Sequence, residues 1–396
     1  MIILTEKLYD YDAYLKEFTA QVISCTPCEK GYKIILDKTA FFPEEGGQYS
    51  DTGTLGGCEV FDVQFENGEL IHYCREAVSG VVAGQIDFDK RFRNMQNHTG
   101  EHIISGLVHS LFGGENVGFH LGQDEVTCDY DIELNAQQLR EIEFKANKAI
   151  YKNLSVRGYY PKTEELKEIK YRSKKEIDEA IRIVEIDGID CCACCAPHVK
   201  STGEIGVIKI ISYMRLRGGC RLFIACGLDA FMDYSLKHNE IKAISALLAS
   251  KPEECSSGVQ KISDSLKKTA REVNFLKGKI LENAVKELKP CNNGMLIFTN
   301  ELDMTALRNI VNLAKDKSPC LCGAFSGNDE NGYSYIIYSE DFDANEKSKD
   351  INEKLSGRGG GKNNMIQGSV KANRQAIENY FSFSSSFSIN SSLVDL

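Results

Sequence analysis

Residues 1–90 alternate apolar and polar positions in short runs, such as Tyr32-Lys33-Ile34-Ile35-Leu36 and Leu70-Ile71-His72-Tyr73, broken by Gly and Asn. Period-two runs of this length between turn residues predict strands, and many of them in succession predict a small β-barrel. The pattern changes at Arg91. From there to Phe112, Met95, Ile103, Ile104, Leu107, Val108 and Leu111 recur at helical spacing, which predicts a helix with an apolar face. Beyond it, Val126 to Tyr130, Ile181 to Ile186 and Val207 to Ile211 read as strands. Ala136 to Lys152 reads as a solvent-facing helix across their sheet.

Residues 235–289 read as helix. Val259, Ile262, Leu266, Thr269, Val273, Leu276 and Ile280 fall at alternating spacings of three and four, a coiled-coil seam with one polar break. Such a seam pairs with the preceding helix or with a second copy of the chain. After Pro290, Gly294 to Phe298 and Tyr333 to Tyr338 predict strands, and Met304 to Lys315 a helix between them. The serine-rich tail with Phe381, Phe383 and Phe387 either closes a core or frays. The expected class is α+β multidomain, in four segments: a barrel with a Gly-rich loop over 1–90, an α+β domain over 91–235, a coiled-coil-like helical linker over 236–290 and an α/β unit over 291–396.

A chain of 396 residues exceeds one ordinary core, which agrees with several domains. Charged residues make up 26%, and no apolar run approaches the roughly 18 residues that span a bilayer, so no membrane helix is expected. Met1-Ile2-Ile3-Leu4-Thr5-Glu6 lacks the basic start of a secretory signal. The 15 cysteines are odd in number and partly adjacent, which fits a reducing, cytoplasmic setting better than a disulfide framework. A net charge of -10 opposes a phosphate-rich partner overall, but Lys261 to Lys289 holds eight basic and four acidic residues, and Glu346 to Arg374 seven and three. A local basic surface is compatible with both.

The candidate chemistry gathers in two stretches. On the helix, His98 and His102 are four apart and present two imidazoles from one face. Cys194 and His198, also four apart, follow the strand at Ile181. Three imidazoles and a thiol are a tetrahedral donor set suited to Zn2+. Cys25 and Cys28 form a CxxC with no second pair at zinc-ribbon spacing and read as structural. Gly46-Gly47-Gln48 marks a loop where backbone can approach a ligand closely. Arg215, Arg217 and Arg221 surround a glycine pair, and Arg358 and Lys362 flank Gly359-Gly360-Gly361. Both read as phosphate-binding or RNA-backbone elements. The second is no Walker loop, since no Ser or Thr follows its Gly-Lys.

Asn97-His98-Thr99-Gly100-Glu101-His102, the segment from Cys194 through His198 to Gly206, and the Gly46-Gly47-Gln48 loop together resemble the editing half of alanyl-tRNA synthetases. The resemblance is to the free-standing alanyl-tRNA editing proteins, the AlaX family, in their long form. The region from Gly359 to Gly368 is similar to the DHH-associated domain at the end of those proteins. The resemblance implies a trans-editing deacylase for mischarged tRNA(Ala), chiefly Ser-tRNA(Ala), with Gly-tRNA(Ala) as a further candidate. The resemblance leaves no room for the aminoacylation domain that in the synthetase would precede residue 1, so the expectation is editing without charging.

It also implies zinc ligation by His98, His102, Cys194 and His198, and tRNA(Ala) as partner through its acceptor end and body. The Gly46-Gly47-Gln48 loop would meet the substrate. Arg215, Arg217, Arg221, Arg358 and Lys362 would meet the tRNA. Two departures stand out: the family's Cys-Gly-Gly-Thr-His is here Cys194-Cys195-Ala196-Pro197-His198, and its Gly-Gln-Pro is Gly47-Gln48-Tyr49. Cys195 is thereby an alternative ligand, although the spacing from His198 favours Cys194. Glu101, Thr99 and His120 are the catalytic candidates. Glu101 directly precedes the second His, so on a helix it points roughly 60 to 100 degrees away from the ligand directions. It therefore reads as a supporting carboxylate.

Other readings are an editing module of the threonyl-tRNA synthetase type, a non-catalytic tRNA-binding protein with structural zinc, and, last, a phosphoesterase, for which no Asp-His-His motif is present. A homodimer through the helical linker or the C-terminal unit is one of the expected arrangements.

Overall fold

The computed structural model describes residues 5–173, 181–291, 294–384 and 390–393. They form two compact units, Met1–Ala243 and Ile244–Leu396.

The first unit opens with eight strands: β1 (Glu6–Lys7), β2 (Glu17–Cys28), β3 (Gly31–Leu36), β4 (Lys38–Thr39), β5 (Gly53–Leu55), β6 (Cys58–Glu66), β7 (Glu69–Cys74) and β8 (Val81–Ile86). Six of them close a barrel in the order β2-β3-β7-β6-β5-β8, while β1 pairs in parallel with β4. Alternation supplies the barrel's interior: Ile34, Leu36, Val60, Val63, Leu70 and Val82 are buried on it. His72 is buried there too, its Nε2 2.8 Å from Thr39 Oγ1 and its Nδ1 3.2 Å from the Ile34 carbonyl.

Helix α1 (Phe88–Phe112) leaves the barrel directly. Asp87 caps it by accepting from the Lys90 amide, and Gly113 ends it at φ 70°, in the left-handed region that glycine takes without strain. The expected single apolar face is too narrow a description: from Asn94 to Val108 the helix is buried on all sides. It packs on α2 (Ala136–Lys152) and on strands of two sheets. One sheet has the order β14 (Ile208–Leu216), β15 (Gly219–Cys226), β10 (Val126–Tyr130) and β9 (Asn116–Leu121). The other has β11 (Val156–Tyr159), β12 (Ile183–Ile186) and β13 (Asp190–Ala193), with the short helix α3 (Thr163–Leu166) between β11 and β12 in the chain. Helix α2 starts at an Asn135/Gln138 capping box and buries one stripe, Ile142, Ala146, Ala149 and Ile150. It is solvent-facing on its other side alone.

Helix α4 (Leu228–Leu248) runs through residue 235, so the expected boundary there falls inside a helix. The second unit holds α5 (Cys255–Glu287), β16 (Met295–Thr299), α6 (Met304–Ala314), β17 (Cys322–Asn328), β18 (Gly332–Tyr338), α7 (Ala344–Lys354), β19 (Gly357–Lys362), β20 (Met365–Val370), α8 (Arg374–Ser384) and β21 (Asn390–Leu393). Its sheet has the order β19-β20-β18-β17-β16-β21. One side is covered by α6 and by Leu281 and Val285 at the end of α5, and the other by Ile351 of α7 and Ile377 and Phe381 of α8. Of the seam on α5, Val259, Ile262, Leu266, Val273, Leu276 and Ile280 are all exposed. The tail expectation for Phe387 lies outside the described residues, as does that for the side chain of Phe383.

The Gly-rich stretch at 357–362, expected as a loop, is a strand. Its residues pair with β20 in unbroken antiparallel register, Arg358 opposite Ser369 and Lys362 opposite Met365. The reason is space. A Cβ on Gly359 would lie 2.5 Å from Tyr335 Oη, so the glycine lets the edge strand pass over a buried tyrosine.

Candidate metal centre

The 25 residues of α1 carry His98 and His102 one turn apart, with ring centroids 5.6 Å from each other. Strand β13 delivers the chain to Cys194 and His198, and the His198 ring lies 4.9 Å from that of His98 and 4.7 Å from that of His102. Cys194 Sγ is 3.5 Å from His98 Nε2 and 3.4 Å from His198 Nε2. The four donor atoms all lie within 4.8 Å of one another.

Each imidazole is held at Nδ1 by a different partner, which leaves Nε2 free to face the others. His98 Nδ1 donates to Gln48 Oε1 at 2.9 Å, His102 Nδ1 to Asp190 Oδ2 at 2.9 Å, and His198 Nδ1 to Thr99 Oγ1 at 3.1 Å. Thr99 can accept because its own hydroxyl proton goes to the Met95 carbonyl at 2.7 Å. Asp190 is steadied in turn by Arg172, whose Nε and Nη2 reach its two oxygens at 2.8 and 2.9 Å. Partners of this kind fix ring orientation and tautomer at metal centres.

The charges agree. Burial pushes the Cys194 thiol up, but the imidazoles around it, through charge and hydrogen bonds, overcome that and hold it well below the usual thiol range. Burial also raises Asp190, and its bonds to His102 and Arg172 more than reverse the shift. His198 is pushed down to about 3, chiefly by burial, whereas His102 is held well above the usual imidazole range, its bonds to Asp190 and Cys194 outweighing burial. Cys195 behaves oppositely: burial and the nearby charges of Cys194 and Glu45 raise its thiol. It stands outside the cluster, packed with Tyr9, Phe42 and Ala196, and Cys194 is the thiol of the donor set.

The remaining expected residues divide. Gly46 and Gly47 adopt φ of 64° and 81°, and the Gly47 carbonyl accepts from the Leu121 amide at 2.7 Å, which carries Gln48 to His98. Thr99 touches a ligand, as a positioning hydroxyl. Glu101 is buried, one oxygen bonded to Ser105 Oγ and Asn116 Nδ2, both at 2.6 Å, and the other 3.9 Å from His102 Nε2. It therefore lies closer to the cluster than a helical projection implies. His120 does not join it: its ring packs edge-on to Tyr49 at the surface, because neighbouring Phe119 takes the inward side of β9 against His98. In the β14–β15 hairpin Arg221 is bound by both oxygens of Asp129, and Arg215 pairs with Glu133, so two of the three expected phosphate binders have carboxylate partners. Arg217, Arg358 and Lys362 are exposed and have no ion pair among the described residues.

Several site residues were missed from the sequence. Arg182 donates to the carbonyls of Cys194 and Ala196 at 3.1 and 3.0 Å and so holds the turn that carries two ligands. Gly100 lies against the sheet, where a Cβ would meet Cys226 Sγ at 2.3 Å. Its place between the two histidines was the only available signal.

Comparison with known proteins adds lineage to this geometry. Residues 181–222, which include Cys194 and His198, match the family described as the threonyl and alanyl tRNA synthetase second additional domain, and residues 292–383 match the DHHA1 domain. The alanyl-tRNA editing protein AlaX-M of Methanosarcina mazei is 38% identical over 231 residues, 52% of this chain and 90% of that protein. The chain belongs to the alanyl-tRNA editing protein family. Its likeness to another member, AlaX-L of Pyrococcus horikoshii, runs at 27% identity over 94% of this chain and 96% of that one. The alanine–tRNA ligase of Ignicoccus hospitalis is 27% identical over 94% of this chain, which spans only 42% of the ligase's length. Among the described residues no helix is long and apolar enough to cross a membrane.

Proposed function

We infer that this chain is a trans-editing hydrolase that cleaves the ester of mischarged tRNA(Ala), chiefly Ser-tRNA(Ala), with Gly-tRNA(Ala) as a further substrate. The observation that carries the reading is the convergence of three imidazoles, each held at Nδ1, with one thiol held low, in a family whose members are named for editing alanyl-tRNA.

The donor set fits zinc. With zinc–nitrogen and zinc–sulfur bonds of about 2.0–2.1 and 2.3 Å, a tetrahedron has nitrogen–sulfur edges of about 3.5 Å. The two separations at Cys194 are 3.5 and 3.4 Å. Bound there, zinc supplies a Lewis acid able to polarise the ester carbonyl, activate water or orient the amino acid. The chain's own residues do the rest. Gln48, Thr99 and Asp190 orient the ligands, and Glu101 supplies a buried carboxylate beside them. A hydroxyl on the substrate separates serine from alanine, and a site that bonds it discriminates strongly.

Residues 1–90 and 91–235 are assigned to the ester end of the substrate, and 291–396, with Arg358 and Lys362 on the exposed edge strand β19, to the tRNA body. The seam on α5 is the candidate surface for a second copy of the chain. A substrate made by synthetases puts the protein in the cytoplasm.

The test is release of serine from preformed Ser-tRNA(Ala), beside Ala-tRNA(Ala) and Ser-tRNA(Thr), by the wild type and by Cys194→Ala after metal analysis. Expected is serine release from Ser-tRNA(Ala) alone, lost with the thiol. No release from a folded, zinc-loaded protein overturns the reading, and preference for Ser-tRNA(Thr) replaces it with the threonyl type that shares the 181–222 family.

A further inference from the structure

Helix α5 has two apolar faces, and its own unit uses one of them. Leu281 and Val285, near its C-terminal end, pack with Leu307 and Ile310 of α6 and Ile336 of the sheet. Between Cys255 and Leu281 no residue of the helix is buried. Val259, Ile262, Leu266, Val273, Leu276 and Ile280 lie in that stretch at 43–69% exposure. Written as heptads with Val259 at a, these six hold a and d positions throughout, whereas Leu281 and Val285 fall at b and f. Packing on the sheet therefore leaves the seam open, and among the described residues nothing covers it. A long helix with nothing packed on it is marginal in water, because most helical stability comes from burying an apolar face. The seam requires a partner.

We propose that the seam binds the same seam of a second copy as a parallel, in-register, two-stranded coiled coil. The arrangement does not depend on the editing chemistry. Parallel alignment sets a opposite a and d opposite d, so every layer from Val259 to Ile280 is filled. An antiparallel pair sets a against d, which leaves Val259 or Ile280 without a layer and places Thr269 against Leu266 or Val273. In the parallel pair Thr269 at d meets Thr269 of the second copy, where the two hydroxyls can bond each other. A single polar layer of that kind fixes register. Val259, Val273 and Ile280 make three of the four a positions β-branched, the preference of two strands.

Charge selects the same orientation. In a parallel pair each g residue faces the following e residue of the other helix, so Glu272 of each copy meets Lys277 of the other, twice by symmetry. Within one copy Glu272 reaches Lys268 at no less than 3.9 Å, which leaves it available. Lys279, the other charge beside the seam, would face Ala284 and no like charge. Covering the six exposed side chains and the stems beside them removes on the order of 700 Å2 per copy, about 1,400 Å2 for the pair, within the roughly 1,200–2,000 Å2 of specific interfaces. The seam is therefore large enough for a stable dimer.

Sedimentation equilibrium of the full-length, zinc-loaded protein is expected to give the mass of two copies. Leu266→Glu is expected to give the mass of one, with zinc content as in the wild type. Glu272→Lys and Lys277→Glu should each raise the dimer Kd on the order of ten-fold, since two attractive pairs become repulsive. An equimolar mixture of these two variants should return to a Kd close to the wild type, because the mixed dimer again sets opposite charges together. That rescue distinguishes the orientations: an antiparallel pair sets e beside e and g beside g, so mixing would gain nothing. A one-copy or three-copy mass for the wild type, a two-copy mass kept by Leu266→Glu, or a mixture no tighter than its components overturns the arrangement. Serine release plays no part in these measurements, so the coiled coil and the editing reading fail separately.

Discussion

Asp51 and Arg91 form an ion pair with no solvent exposure on either side chain, joining the loop that follows Gly46-Gly47-Gln48 to the first turn of α1. Arg91 Nε lies 3.0 Å from both carboxylate oxygens, and its Nη1 and Nη2 donate to the carbonyls of Ala13 and Ala40. Asp51 also accepts from the Phe42 amide at 2.6 Å. The pair fixes the barrel's loop on the helix, and Gln48 and His98 meet across the same junction.

Removing one partner strands the other charge without water, so Arg91→Met is expected to destabilise the fold by about 3–5 kcal/mol. Urea unfolding would measure it. A loss below 1 kcal/mol would show that the site relaxes or hydrates, and that the pair does not govern the junction.

Asp190 accepts from His102 Nδ1 at 2.9 Å. Asp190→Ala is expected to weaken zinc binding 10–100-fold, the usual effect of losing such a partner. Competition with a chromogenic chelator at fixed pH reads this directly. Unchanged affinity would mean that His102 is oriented by packing alone.

His72 is buried in the barrel, and burial pushes it down to about 4. Its unfolded value is about 6.5. Between those values the unfolded chain takes up a proton that the native barrel refuses, so stability falls as pH drops from about 6.5 to about 4 and the loss then levels off. The full contribution is about 3 kcal/mol. His72→Gln is expected to flatten the pH dependence of urea unfolding across that window relative to the wild type. Parallel curves for the two proteins would remove His72 as the source.

Gly100 supports the site by being small. Gly100→Ala drives a methyl into Cys226 Sγ and is expected to cost about 1–3 kcal/mol. Cys226→Ala in the same chain makes room and should recover most of the loss, which a double-mutant cycle would record as coupling. Additive effects would place the strain elsewhere.

Arg358→Ala is expected to weaken tRNA binding and lower the slope of log K against log salt by about 1, with metal content unchanged. The same affinity at fixed salt would exclude Arg358 from the tRNA contact.

The sequence by itself determined what local periodicity can carry. Residues four apart on a helix share a face, so His98 and His102 were legible as a pair, and alternation made the strands of residues 1–90 legible as a sheet. The tertiary structure decided what depends on distant partners. The groups that hold His98, His102 and His198 are 50, 88 and 99 residues away along the chain. No periodicity links such positions. Direction was likewise beyond local reading: His120 faces out because Phe119 packs inward on His98, and Arg221 is occupied because register sets Asp129 opposite it. Glycine content misled at Gly357–Lys362 for a related reason. The same residue type serves a loose loop and a strand that must pass over a buried tyrosine, and only the neighbour across the sheet distinguishes them.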